Sequence, residues 1–173
     1  MTLDPIPHID PFMTVLMPAL LYFTTGFMFG GAKPVPVQYH RLRNPLRDMM
    51  MVALAGPVSN FLLAILFMIV WKTLIYVADF ETNQVAAQVM AATVRWNLLL
   101  AAFNMIPVPP LDGSRVMTWI LPAKLREGYA SLERFGMILV MVLVFSGVLR
   151  HVLIPMMEVM LSWADLLTGG TWV

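Results

Sequence analysis

An all-α polytopic membrane protein is the fold class this sequence predicts, and three observations predict it. The 173 residues are 60% hydrophobic and only 12% charged, too little polar surface for a water-soluble domain of that length. Most of the apolar residues fall into four stretches, close to the ~20 residues that a spanning helix needs. The charged residues gather mainly in the segments between those stretches. Two function classes recede at once. A net charge of +1 offers no basic surface for nucleic acid. Zero cysteines exclude disulfides, a thiolate metal site and a cysteine nucleophile.

The elements follow in chain order as one transmembrane domain, 1–173, with about four membrane-embedded helical segments and short extended or re-entrant loops. Residues 1–10, "MTLDPIPHID", are polar and proline-punctuated and read as a loop; they lack the basic region and apolar core of a signal peptide. Residues 11–32 are uncharged, but Pro18, Gly26 and the Gly30–Gly31 pair leave both a span and a re-entrant segment open. Residues 49–71 are uncharged and form the cleanest span. Residues 85–106 carry Arg95 as their only charge; inside a membrane it must snorkel or meet a carboxylate. Residues 135–164 begin apolar, meet Arg150 and His151, and continue through Pro155. They predict one kinked span, or a span followed by an interfacial helix.

Basic residues set the orientation. Lys33 to Asp48 contains Lys33, Arg41, Arg43 and Arg47, and Val108 to Arg134 contains Arg115, Lys124, Arg126 and Arg134. The positive-inside bias puts both segments in the cytoplasm and the Asp79–Glu81 turn outside.

Two motifs carry the chemistry. In "AGPVSN", Ala55 to Asn60, the small residues Ala55, Gly56 and Ser59 suit the close approach of another helix, Gly56 above all. Asn60 places an amide in an apolar run. In "FNMIPVPPLDGSR", Phe103 to Arg115, Pro107, Pro109 and Pro110 cannot continue a helix and push their predecessors to extended geometry. A polyproline-like run from Ile106 to Pro110 would reach roughly 15 Å. Irregular backbone at membrane depth needs burial in protein or a wet cavity, so this stretch implies an internal site, with Gly113 letting the chain turn. Asp112 then reads either as a functional carboxylate (proton relay, counter-ion or metal ligand) or as the cap of a helix beginning near Ser114. The histidines His8, His40 and His151 offer no i, i+4 pair for zinc.

At these residues the sequence resembles a known family. "FNMIPVPPLDG" resembles the Asn-x-x-Pro-x-Pro-x-Leu-Asp-Gly motif of the site-2 proteases, the intramembrane zinc metalloproteases. "AGPVSN" is similar to their Ala-Gly-Pro-x-x-Asn signature, and "TLDPIPHIDP" and "GAKPVP" resemble blocks of the compact prokaryotic branch without a PDZ domain. The similarity runs from Thr2 to about Arg115. It implies Zn2+ as cofactor, Asp112 as its third protein ligand, and Asn104 as the amide that positions substrate or stabilises the oxyanion. The implied partners are a transmembrane helix of a protein substrate and the lipid bilayer, and the implied place is the plasma membrane (or a bacterial inner membrane), crossed several times.

The family's His-Glu-x-x-His helix, which supplies two zinc ligands and the water-activating glutamate, precedes the block resembling Thr2 to Pro11. The expectation is therefore a chain shortened at its N-terminus, inactive alone and unable to bind zinc stoichiometrically. Two other readings remain open at this point: a non-catalytic membrane protein on the same fold, and a small transporter or channel component using Arg95 and Asp112.

Overall fold

A computed structural model of the chain describes residues 43–76 and 84–169. The expectations for the 1–10 loop, the 11–32 segment, most of Lys33 to Asp48, the Asp79–Glu81 turn, His8 and His40 lie outside those residues. Among the described residues all regular structure is helical.

Helix α1, Pro45–Tyr76, is 32 residues long, about 48 Å at 1.5 Å per residue, which exceeds the ~30 Å apolar core of a bilayer. It begins four positions before the expected Met49 because its start is closed chemically. The Asp48 N–H donates to the Asn44 carbonyl at 2.8 Å, and the Asn44 N–H donates back to the Asp48 carboxylate at 3.1 Å. Pro45 occupies the first helical position, where a missing N–H costs nothing. Pro57 lies inside α1 and is buried.

Helix α2, Gln84–Asn104, ends two residues before the expected Ile106, since Pro107 disfavours helical geometry in its predecessor. Short helices α3, Gly113–Ile120, and α4, Ala123–Ala130, follow, then a 3-10 turn, Ser131–Phe135. Helix α5, Gly136–Phe145, and helix α6, Val148–Thr168, complete the described chain.

Of the two readings left open for 135–164, the structure has two separate helices and not one kinked helix. The break falls at Gly147, which takes φ +74°, a left-handed conformation that glycine adopts without steric cost. It ends α5, where the Ser146 N–H reaches the Val142 carbonyl at 2.9 Å. Pro155 sits inside the continuous helix α6 and interrupts nothing. The segment before the break, Ala123–Phe145, is 23 residues long and runs through α4, the 3-10 turn and α5, with its charged residues in the first two and its apolar ones concentrated in α5. With α1 and α2 it makes three segments among the described residues that are long and apolar enough to cross a membrane.

The core explains how the site is carried. Ala64 and Met68 of α1, Val94 and Leu98 of α2 and Ala164 of α6 form one buried cluster, with Phe61, Ile65, Met157 and Leu161 against it. Alanines at these crossings bring helix backbones close, the packing that serves where lipid competes with apolar side chains. A second cluster of Ala102, Ile106 and Leu153 lies under the proline string, with Val108 and Leu111 resting on it. Leu62, Leu66 and Ile69 of α1 face outward, as a lipid-facing surface requires.

Candidate functional site

The proline string is not extended. The Ile106 N–H reaches the Phe103 carbonyl at 3.2 Å, Val108 reaches Ile106 at 2.8 Å, and Leu111 reaches Val108 at 2.9 Å. The last of these bonds closes a turn over Val108 to Leu111, within which the Pro109–Pro110 bond is cis. The expected reach of roughly 15 Å for an extended run is therefore folded into a compact turn over the second core cluster. The reason is local. With three N–H groups missing, the segment satisfies its few remaining donors by short-range bonds instead of stretching.

This turn separates the two expected site residues. Asn104 is the last residue of α2 and is half-buried. Asp112 stands at the N-cap of α3, yet its side chain makes no capping hydrogen bond. The capping role considered for Asp112 is therefore not the one it plays. Its carboxylate turns toward α1, where a Cβ placed on Gly56 would come within 3.3 Å of Oδ2. The two motifs thus meet, and the small residue of "AGPVSN" leaves room beside a carboxylate more than beside a helix backbone. Asn60 lies one turn further along α1, on the side of the helix that Gly56 occupies. Burial pushes the Asp112 carboxyl above its usual range, and the positive charge of Arg115 opposes that rise.

Gly113 is explained by crowding and not by a turn. It is the first residue of α3, and a Cβ there would overlap the Met105 carbonyl and lie 2.6 Å from the Ile106 oxygen. The start of α3 is therefore pressed against the end of α2. Gly136 does the same at the start of α5: its Cβ would lie 2.7 Å from the Pro109 oxygen and 2.9 Å from the Pro110 nitrogen.

Sequence reasoning missed the residues that hold this arrangement from α4 onward. The Tyr129 hydroxyl donates to the Pro107 carbonyl at 2.8 Å. The Arg126 Nε donates to the carbonyls of Leu121 at 2.8 Å and Thr118 at 3.1 Å, closing the C-terminal end of α3. Arg115 pairs with Glu133 at 2.6 Å. No spacing in the sequence marks Tyr129, because its partner is a backbone oxygen in another element. Arg95 is exposed and pairs with no carboxylate among the described residues. His151 is exposed, with Nδ1 3.2 Å from the carbonyl of Gly147, the residue that precedes α6.

Asp112 suits one ligand position of a zinc ion: it is an oxygen donor, free of capping duty, with a side-chain-free residue opposite. The described residues do not complete the set, since no three His, Cys, Asp or Glu side chains gather among them. One carboxylate does not hold a catalytic zinc, so no metal-dependent step follows from the described residues alone.

Peptidase family M50 is the family whose model matches the chain, over residues 13–147. The chain is 34% identical over 164 residues to a Bacillus subtilis protein named "Putative zinc metalloprotease YwhC", covering 91% of this chain and 70% of that one. A Methanocaldococcus jannaschii protein named "Putative zinc metalloprotease MJ0611" is 37% identical over 68 residues, covering 39% of this chain and 32% of its own length. A Mycolicibacterium smegmatis protein named "Putative zinc metalloprotease Rip2" is 25% identical over 163 residues, covering 87% of this chain and 56% of its own. No solved structure matches the chain.

Proposed function

The chain belongs to peptidase family M50, the site-2 proteases that its motifs resemble, and on that premise we propose that it acts in intramembrane zinc-dependent endoproteolysis. The observation that carries this reading is the meeting of Gly56 with an uncapped Asp112 carboxylate. Helix capping alone would not require a glycine on a different helix. Asp112 supplies one oxygen ligand to zinc, and the other ligands are not among the described residues. Zinc, when bound, supplies a Lewis acid and an activated water. Asn104, across the proline turn, donates its amide hydrogen to the carbonyl oxygen on which negative charge develops. The amide and the carboxylate stand at the two ends of the proline turn. The substrate is a transmembrane helix of another protein in the same bilayer, and the membrane is the plasma membrane or its bacterial inner counterpart.

The test uses the protein isolated from its own membrane in detergent, with a quenched fluorescent peptide of one apolar span as substrate. A zinc chelator stops cleavage, and Asp112→Ala lowers zinc content and cleavage together. Asn104→Ala keeps zinc and slows turnover on the order of 10²-fold. Cleavage that ignores both the chelator and Asp112→Ala overturns the reading, and so does the absence of any cleavage by zinc-loaded protein.

A further inference from the structure

We propose that Tyr129 is a positioning residue, the donor by which α4 holds the Asn104–Asp112 turn in place. Three prolines leave this turn short of N–H groups, so its carbonyls cannot all be satisfied from within. The Pro107 oxygen takes its hydrogen from the Tyr129 hydroxyl at 2.8 Å, across 22 residues of chain. Pro107 stands three residues after Asn104 and five before Asp112, so this bond anchors the segment between them.

Among the described residues, helix α4 contributes to neither core cluster, and none of its own residues is buried. What it does contribute is two side chains three positions apart, and residues at that spacing share one helix face. Tyr129 holds the proline turn ahead of Asp112, while Arg126 holds the Thr118 and Leu121 carbonyls at the far end of α3. The Asp112 segment is thus gripped at both ends from one face of an otherwise exposed helix. The close seat of Gly136 on the Pro109 carbonyl sets the other side of the turn.

The structural consequence stands by itself; the catalytic consequence rests on the proposed function, and the experiment separates them. The protein contains no cysteine, so Val108→Cys places one thiol, half-buried, in the turn. Its rate of maleimide labelling in membranes reports how firmly the turn is seated. Tyr129→Phe keeps the ring and removes only the hydroxyl. It raises that labelling rate about fivefold or more while thermal stability stays at the parent value. Gly128→Ala is the control: a Cβ there meets nothing within 4 Å, and labelling stays unchanged. In the same protein without the reporter thiol, Tyr129→Phe lowers kcat on the order of tenfold with KM unchanged, because a misplaced group costs rate more than binding. Unchanged labelling and unchanged kcat overturn the proposal. A fall in thermal stability that accounts for faster labelling also overturns it, since Tyr129 would then serve only the fold. Faster labelling at constant stability in a protein that cleaves nothing upholds the positioning of the turn and removes the proteolytic reading.

Discussion

Asp112 sits where its charge is disfavoured. Its folded-state carboxyl titrates above the usual range because burial outweighs the help of Arg115. A carboxyl whose pKa is raised on folding binds its proton more tightly in the fold than in the unfolded chain. Stability contributed through it is greatest in acid and falls as pH rises from the unfolded to the folded pKa. In metal-free protein at neutral pH the charge therefore costs stability, and Asp112→Asn is expected to leave the melting temperature equal or higher by up to a few degrees. That difference should close in acid as the parent carboxyl takes up its proton. Thermal unfolding at two pH values checks both statements, and a lower melting temperature for Asp112→Asn at neutral pH would mean that the carboxylate has a compensating partner. The facing position responds in the opposite sense. Gly56 is exposed, yet only 3.3 Å would separate its Cβ from Oδ2. Gly56→Leu is expected to displace the carboxylate and depress cleavage more than it depresses stability.

Short elements in this protein are held by backbone contact as much as by side chains. Helix α3 begins at Gly113 and α5 at Gly136, and each glycine lies against a carbonyl of the proline segment. The obstacle in both cases is main chain, which cannot swing aside as the end of a side chain can. Gly113→Ala and Gly136→Ala are each expected to cost roughly 1–3 kcal/mol, the range for overpacking a tight site. Gly128→Ala, in open surroundings inside α4, should be neutral or stabilising by up to about 1 kcal/mol through helix propensity. Denaturation in detergent ranks the three, and equal stability of all of them would show that the turn yields. The Arg115–Glu133 pair, with 33% and 47% of its side chains exposed, adds no more than about 1 kcal/mol. The clamp on the turn therefore relies on Tyr129, Arg126 and the glycine contacts.

At the scale of the whole molecule the chain is a multi-pass, all-α membrane protein. From the lysine and arginine on the segment from Val108 to Arg134 we propose that this side faces the cytoplasm. Two exposed described positions test it: Gln84, at the start of α2, and Lys124, in α4. With single cysteines in the cysteine-free chain, a membrane-impermeant maleimide added outside intact cells should modify Gln84→Cys and spare Lys124→Cys. The reverse pattern would invert the topology and place the Asp112 turn on the outer side.

Apolar composition and local bonding rules were enough to read the membrane class and the end of α2 ahead of Pro107, whereas Asn104 and the zinc-ligand role of Asp112 came from the family resemblance. Those features depend on transfer of side chains out of water and on N–H groups that proline lacks, and both are properties of neighbouring residues. For 135–164 the sequence left one kinked span and two helices both open, because Pro155 and Gly147 each permit a break; the structure breaks at Gly147 and runs through Pro155. Gly56 was legible as a site of close approach, but what approaches it was not. That the partner is the Asp112 carboxylate, and that Tyr129 holds the turn between Asn104 and Asp112, depends on how α1 crosses α3 and where α4 lies. Such contacts join distant positions through backbone oxygens that every residue possesses, so no residue type announces them in the sequence.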